Sequence, residues 1–297
     1  MRSRRTTARG ALVLALSLLT LAAGAGAAPP KKIVFPVLGT VTYWDDFGDA
    51  RAGGRHQGID IMAPKRSLTL AAEAGKVEFW TRSAAAGCML YLHGAGGTDY
   101  DYIHLNNDKT LKNDNRGKCV PGTSYAKGLK NGARVVAGQP IGYVGDSGDA
   151  NGIHPHLHFE LHPGRKAAVD PYPWLQSASR LLFAAPRGSL FILDLRGTIA
   201  AVNEDSVEMR LATVNAWPMK QRQSKLKRRL LVSVPTEAKV QLVPKAGAWG
   251  TPATLLDARV GQQVEIWTAP APTTLRAQRG DDLALTASLV SLVAPAR

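Results

Sequence analysis

Between residue 33 and about residue 174, no stretch carries a long apolar stripe of helical period. Its apolar residues come in short runs cut by glycine and proline. VFPVLGTVTYW, SLTLAAEAGKVEFW, CMLYLHGAGG, YDYIHL, ARVVAGQPIGYVG and HPHLHFELH are apolar or alternating runs of strand length bounded by turn signals. A mostly β fold is therefore predicted for residues 33–175. Residues 106–131 interrupt the rhythm with Asn, Asp, Lys and Gly around Cys119, which reads as a long surface loop. A boundary follows Trp174, and residues 176–188 read as a connector with one helical turn. From residue 189 to 297 the runs LFILDLRGTIAAVN, SVEMRLATVNAW, RRLLVSVP, AKVQLVP and TPATLLDARVGQQVEIW predict a small β-barrel or β-sandwich domain.

The first residues read as an export signal. Arg2, Arg4, Arg5 and Arg9 precede the apolar run ALVLALSLLTLAA, small residues follow, and Pro29-Pro30 ends the pattern. This order is that of a signal peptide over residues 1–28. The apolar run falls short of the ~20 residues of a spanning helix, so no stable membrane span is expected after processing. Arg4-Arg5 hints at a twin-arginine route, without the hydrophobic residue expected shortly after it. The product would be periplasmic, wall-associated or extracellular. Cys88 and Cys119 are the two cysteines, an even count that in an exported chain predicts one disulfide, tethering the long loop. The formal net charge is +14, and it stays near +10 without the four leading arginines (14 − 4), so an acidic partner is implied. Nucleic acid, anionic membrane and anionic wall polymer all satisfy that charge. Export argues against nucleic acid, despite the KQRQSKLKRR stretch at residues 220–229.

All seven histidines lie between His56 and His162, and residues 189–297 hold neither histidine nor cysteine. The chemistry therefore belongs to the first half. His56 and Asp60 sit in RHQGIDIMAP, where a loop enters a strand and Gly58 would let the backbone bend so that both side chains converge. A histidine and a carboxylate are common zinc ligands. In HLHFE, strand alternation projects His156 and His158 to one face and Leu157 and Phe159 to the other. Two adjacent imidazoles need polar partners, which makes them poor core residues. His104 in YIHL stands at another strand end.

Together these pieces resemble the lysostaphin-type, or LytM-like, zinc metalloendopeptidase family. FPVLGTVT, FGDARAGGRHQGIDIMAP, AAEAGKVEFW, YIHL, VVAGQPIGYVG, HPHLHFEL and VDPYPWL occur in the family's order. The resemblance implies an antiparallel β-sheet peptidase domain that binds one zinc ion through His56, Asp60 and His158. His104 and His156 would then be the catalytic histidines that do not bind metal. A zinc with three protein ligands and an open position activates water and polarises a carbonyl. With no HExxH, His104 and His156 are left to accept the proton and to stabilise the oxyanion. The implied function is a secreted peptidoglycan hydrolase that cuts wall peptide cross-links. The alternative is a non-catalytic wall-binding or hydrolase-activating protein on the same fold, whose usual loss of ligands is not seen here. Departures from the family pattern are His154, the Lys65-Arg66-Ser67 turn and the length of the 106–131 loop. His93 and His162 match no ligand position, and Glu160 reads as structural.

Overall fold

The computed structural model describes residues 32–294. The expected signal peptide lies outside the described residues. Those residues belong to one compact unit, and strand dominates it. No helix among them is long and apolar enough to cross a membrane.

A six-stranded antiparallel sheet organises the first half. Its order is Ile59–Met62, His156–Pro163, Thr98–Leu105, Cys88–Gly94, Gly75–Trp80 and Arg134–Val135. Alternation decides which residues go inward. Leu157, Phe159 and Leu161 are fully buried, as are Ile59 and Ile61 on the neighbouring strand and Leu90 and Leu92 further across. Tyr100 and Tyr102 pack on the Phe159 ring from the adjacent strand. Leu68–Leu70 and Pro140–Tyr143 pair separately, and Ala50–Arg51 with Gly54–Arg55 forms a small hairpin. VFPVLGTVTYW is not a strand: it makes only isolated bridges at Val34, Val37 and Thr42. Pro36 and Gly39 interrupt its ladder, since proline has no N–H and Gly39 has a φ of +108°.

The loop after His104 is anchored rather than loose. Cys88 and Cys119 form a disulfide. Asp108 is buried and accepts the Asp114 and Asn115 N–H groups at 2.7 and 2.6 Å. Lys65 Nζ reaches Asp108 at 2.6 Å and Asp146 at 3.0 Å, with its side chain only 8% exposed. Arg66 donates to the carbonyls of Asp108 and Gly122. Two departures noted in the sequence, the basic turn and the long loop, are thus two sides of one contact. Burial opposes ionisation of both carboxylates. Hydrogen bonds from Lys65 and from the loop amides hold Asp108 below the usual carboxylate range, while burial wins at Asp146 and raises it.

The second half is a nine-stranded sheet built on the long hairpin Leu190–Val202 and Ser206–Trp217. Gln263–Thr268 and Ala287–Val293 continue it antiparallel, and Lys239–Val243 joins parallel to the latter. Leu193, Leu195, Ile199, Met209, Val232, Ile266 and Val290 form its buried core. In the expected connector, residues 181–185 are buried, and Gln221, Gln223 and Gln278 hydrogen-bond to their backbone. Leu181 and Ala184 pack with Val34 and Leu70.

Two stability outcomes follow from the loop anchors. Replacing both cysteines with serine opens a loop of 31 residues and should lower the unfolding free energy by about 2–4 kcal/mol in chemical denaturation. Lys65→Met leaves two buried carboxylates without their ammonium and should cost about 3–5 kcal/mol, with faster amide exchange over residues 107–118. Unchanged midpoints in either variant would contradict the anchoring.

Candidate metal centre and cleft

The strand register builds the site. His158 stands opposite Asp60 on one neighbour and Ile103 on the other, so Asp60, His158 and the end of the His104 strand lie side by side. His56 joins from the preceding loop, and Gly58 is what allows this approach. A Cβ at Gly58 would lie 2.5 Å from the Phe159 carbonyl oxygen and 2.8 Å from His158 Nε2. The expected bend is therefore a close approach instead, made with no positive φ. Gly58→Ala should push the His56 loop away from the sheet, and an unchanged affinity for zinc would refute this.

Three atoms converge. His56 Nε2 lies 2.9 Å from His158 Nδ1, and Asp60 Oδ1 lies 3.1 Å from each. Tetrahedral zinc with bonds of about 2.0–2.1 Å separates its ligand atoms by about 3.3 Å, so this triangle needs only slight opening to cap an ion. His56, Asp60 and His158 are the one group of candidate metal ligands on this cleft among the described residues.

Each imidazole has its other nitrogen occupied. His56 Nδ1 faces the Asp46 carbonyl at 2.9 Å, and His158 Nε2 faces Glu160 Oε1 at 2.9 Å. His104 Nδ1 faces the Ser147 carbonyl at 2.8 Å, and His156 Nδ1 faces the His154 carbonyl at 2.9 Å. A carbonyl accepts only from an N–H, so in the neutral form of each ring Nε2 of His104 and of His156 keeps its lone pair. Ser147 is fixed in turn, donating from Oγ to the Leu105 carbonyl and accepting from Cys88 N–H. His104 has a φ of +60°, uncommon for a residue with a side chain. The rings of His104 and His156 are 5.1 Å apart, and His156 Nε2 is 3.7 Å from Asp60 Oδ1.

The electrostatics favour a cation in the triangle. Burial opposes the charge on Asp60, but hydrogen bonds from His158 and His56 hold its carboxyl well below the usual carboxylate range. Burial likewise opposes the charge on His158, yet Asp60 and Glu160 raise it to about 9. Two carboxylates thus converge on one imidazole. His104, buried beside two other imidazoles, is pushed down to about 4 and is neutral at physiological pH.

Several participants had no signal in the sequence. Glu160, read as structural, is the hydrogen-bond partner of His158, and His162 backs Glu160 at 2.8 Å. Arg51, on the small hairpin, donates to Asp60 Oδ2 at 3.0 Å and to Asp46 Oδ2 at 2.9 Å. His154 is exposed and contributes its carbonyl rather than its ring. His93 pairs with Glu78 and Asp99, away from the triangle. The triangle and both free Nε2 atoms open on a cleft of about 550 Å³ lined also by Arg51, Ala86, Asp149 and Ile153.

Residues 122–171, which include His156 and His158, match peptidase family M23. The chain is 31% identical over 156 residues to an L-Ala--D-Glu endopeptidase of Bacillus subtilis, covering 49% of this chain and 43% of that protein. It is 29% identical over 156 residues to the DD-carboxypeptidase/endopeptidase Mpg of Neisseria meningitidis, covering 50% of this chain and 31% of the relative. The chain therefore spans less than half the length of these relatives. Among solved structures it is similar to the catalytic domain of the antimicrobial peptidase lysostaphin from Staphylococcus simulans. That likeness has 26% identity and a TM-score of 0.35, over 46% of this chain and 90% of that one.

Proposed function

We propose, from the premise that residues 122–171 of this chain match peptidase family M23, that it is an exported zinc endopeptidase cutting peptide cross-links of bacterial peptidoglycan. The observation that carries the reading is the triangle of His56 Nε2, Asp60 Oδ1 and His158 Nδ1 beside two imidazoles with free Nε2 atoms. The names of the curated relatives, an L-Ala--D-Glu endopeptidase and a DD-carboxypeptidase/endopeptidase, support peptide bonds that involve D-amino acids as the substrate class.

A zinc ion held by these three residues would supply Lewis-acid activation of water and polarisation of the scissile carbonyl. The chain's own residues do the rest. With zinc in place of the His158 proton, the Asp46 carbonyl and Glu160 would hold the two ligand imidazoles with a lone pair towards the triangle, and Arg51 turns Asp60 Oδ1 towards it. When water attacks the carbonyl carbon, its proton needs an acceptor, and Nε2 of His104 or His156 offers one. An imidazolium so formed donates a hydrogen bond to the oxyanion and can pass the proton to the leaving amine. The Ser147 and His154 carbonyls keep both rings oriented through that cycle.

We propose that the β half formed by residues 189–297 holds the enzyme on the anionic wall. Lys220, Arg222, Lys225 and Lys227 are exposed together around its Gln221–Gln223 strand. Linking a binding surface to the cleft raises the effective concentration at an insoluble substrate. Replacing the four with serine should weaken sedimentation with walls, most at low salt, and leave soluble-peptide cleavage unchanged. Equal sedimentation would remove the tether.

The main test separates ligands from proton carriers. His56→Ala, Asp60→Ala and His158→Ala should lose both bound zinc and activity. His104→Ala and His156→Ala should keep zinc and lose at least ~100-fold in rate. Glu160→Ala should weaken zinc binding by about 10–100-fold in calorimetry. Wild-type hydrolysis by the His156 variant would contradict the mechanism. Zinc binding without release of any peptidoglycan fragment would favour the non-catalytic alternative.

A further inference from the structure

Arg51 is more exposed than its structural contacts require. Its Nη2 atom alone makes the bonds to Asp46 and Asp60, and it sits 3.3 Å from His56 Nδ1. Those three partners are buried, at 2%, 7% and 6% exposure, yet the Arg51 side chain is 47% exposed on the cleft wall. Its Nε and Nη1 groups make no hydrogen bond among the described residues. One edge of the guanidinium is therefore committed to the ligand carboxylate, and the rest offers charged donors to the cleft.

The opposite flank has the opposite sign. Asp60 and His104 belong to the strands on either side of the His158 strand. Asp149 lies on the His104 flank, 3.7 Å from His104 Nε2, with its side chain 69% exposed. Ala85, Ala86, Ala150 and Ile153 line the same cleft and bring no charge. A bound peptide thus meets a fixed positive group on the Asp60 side and a negative group on the His104 side.

We propose that Arg51 is a specificity-determining residue: its Nε and Nη1 groups bind a free carboxylate beside the scissile bond, on the Asp60 side of the cleft. The inference rests on the peptidase reading above and narrows its substrate class. It selects cross-links with a carboxyl group next to the cleaved amide, such as D-Ala–diaminopimelate, over glycine bridges, which have none. Asp149 adds to this by repelling a carboxylate placed in the reverse direction.

The test uses the full chain and one pair of probes. Each is a cross-linked peptide dimer whose carboxyl group beside the D-Ala–diaminopimelate bond is either free or amidated. The zinc-stripped wild type should bind the free acid roughly ten- to hundredfold more tightly than the amide in calorimetry, the scale of a charged hydrogen bond. The zinc-loaded enzyme should show the same preference in kcat/KM, expressed in KM. Arg51→Gln should reduce the preference to within about twofold, and Arg51→Lys should restore part of it. The zinc-stripped titration does not depend on whether Arg51→Gln still holds metal, so a loss of zinc by that variant leaves the test intact. Equal binding of both probes by the wild type, or an undiminished preference in Arg51→Gln, would overturn the proposal. Failure of the wild type to cleave either probe or whole peptidoglycan would instead count against the peptidase reading, with the binding preference still deciding the role of Arg51.

Discussion

The antiparallel register between Ile59–Met62 and His156–Pro163 is the constraint on which the site depends. It sets His158 opposite Asp60 and His156 opposite Met62. A slip of one residue would send both imidazoles into the core and bring Leu157 and Phe159 to the surface. The buried faces of Leu157, Phe159, Ile59 and Ile61 oppose that slip, because each would lose its apolar environment. The hydrophobic core thus sets the position of the candidate metal ligands. Gly58 completes the arrangement by letting the His56 loop lie against the same strand.

Around the triangle, orientation comes from acceptors rather than from packing. Four imidazoles face the cleft, and each is fixed by one carbonyl or carboxylate on its far nitrogen. The elements supplying these acceptors are secured in turn. Asp146, next to Ser147, is tied to Lys65, which also holds Asp108 at the root of the long loop. The loop and the disulfide therefore bear on the orientation of His104 without entering the cleft. Asn113 and Asn115 reach Asn151 next to Ala150, so the loop also supports the cleft wall.

Much of this was legible in the chain. Period-2 alternation in HLHFE placed two imidazoles on one face, and that is where the structure puts them. An even cysteine count in a chain read as exported gave the Cys88–Cys119 pair. What was not legible are contacts with no local period. Lys65 meets Asp146 across 81 residues, and His104 meets the Ser147 backbone carbonyl across 43. A carbonyl acceptor is present at every residue, so no sequence marks the one that orients a ring. Arg51 looked like any loop arginine, and Glu160 like any outward strand residue, because their partners are fixed only by folding. The VFPVLGTVTYW stretch failed as a strand for a simpler reason: its hydrophobicity describes burial, while Pro36 and Gly39 decide the ladder.

In the proposed centre, His56, Asp60 and His158 hold the metal and His104 and His156 do not. X-ray absorption spectroscopy of the zinc-loaded protein tests it most directly. The expected result is a shell with two imidazoles and oxygen donors, at zinc–ligand distances of about 2.0–2.2 Å. A shell of three or four imidazoles would place His104 or His156 on the metal and contradict it.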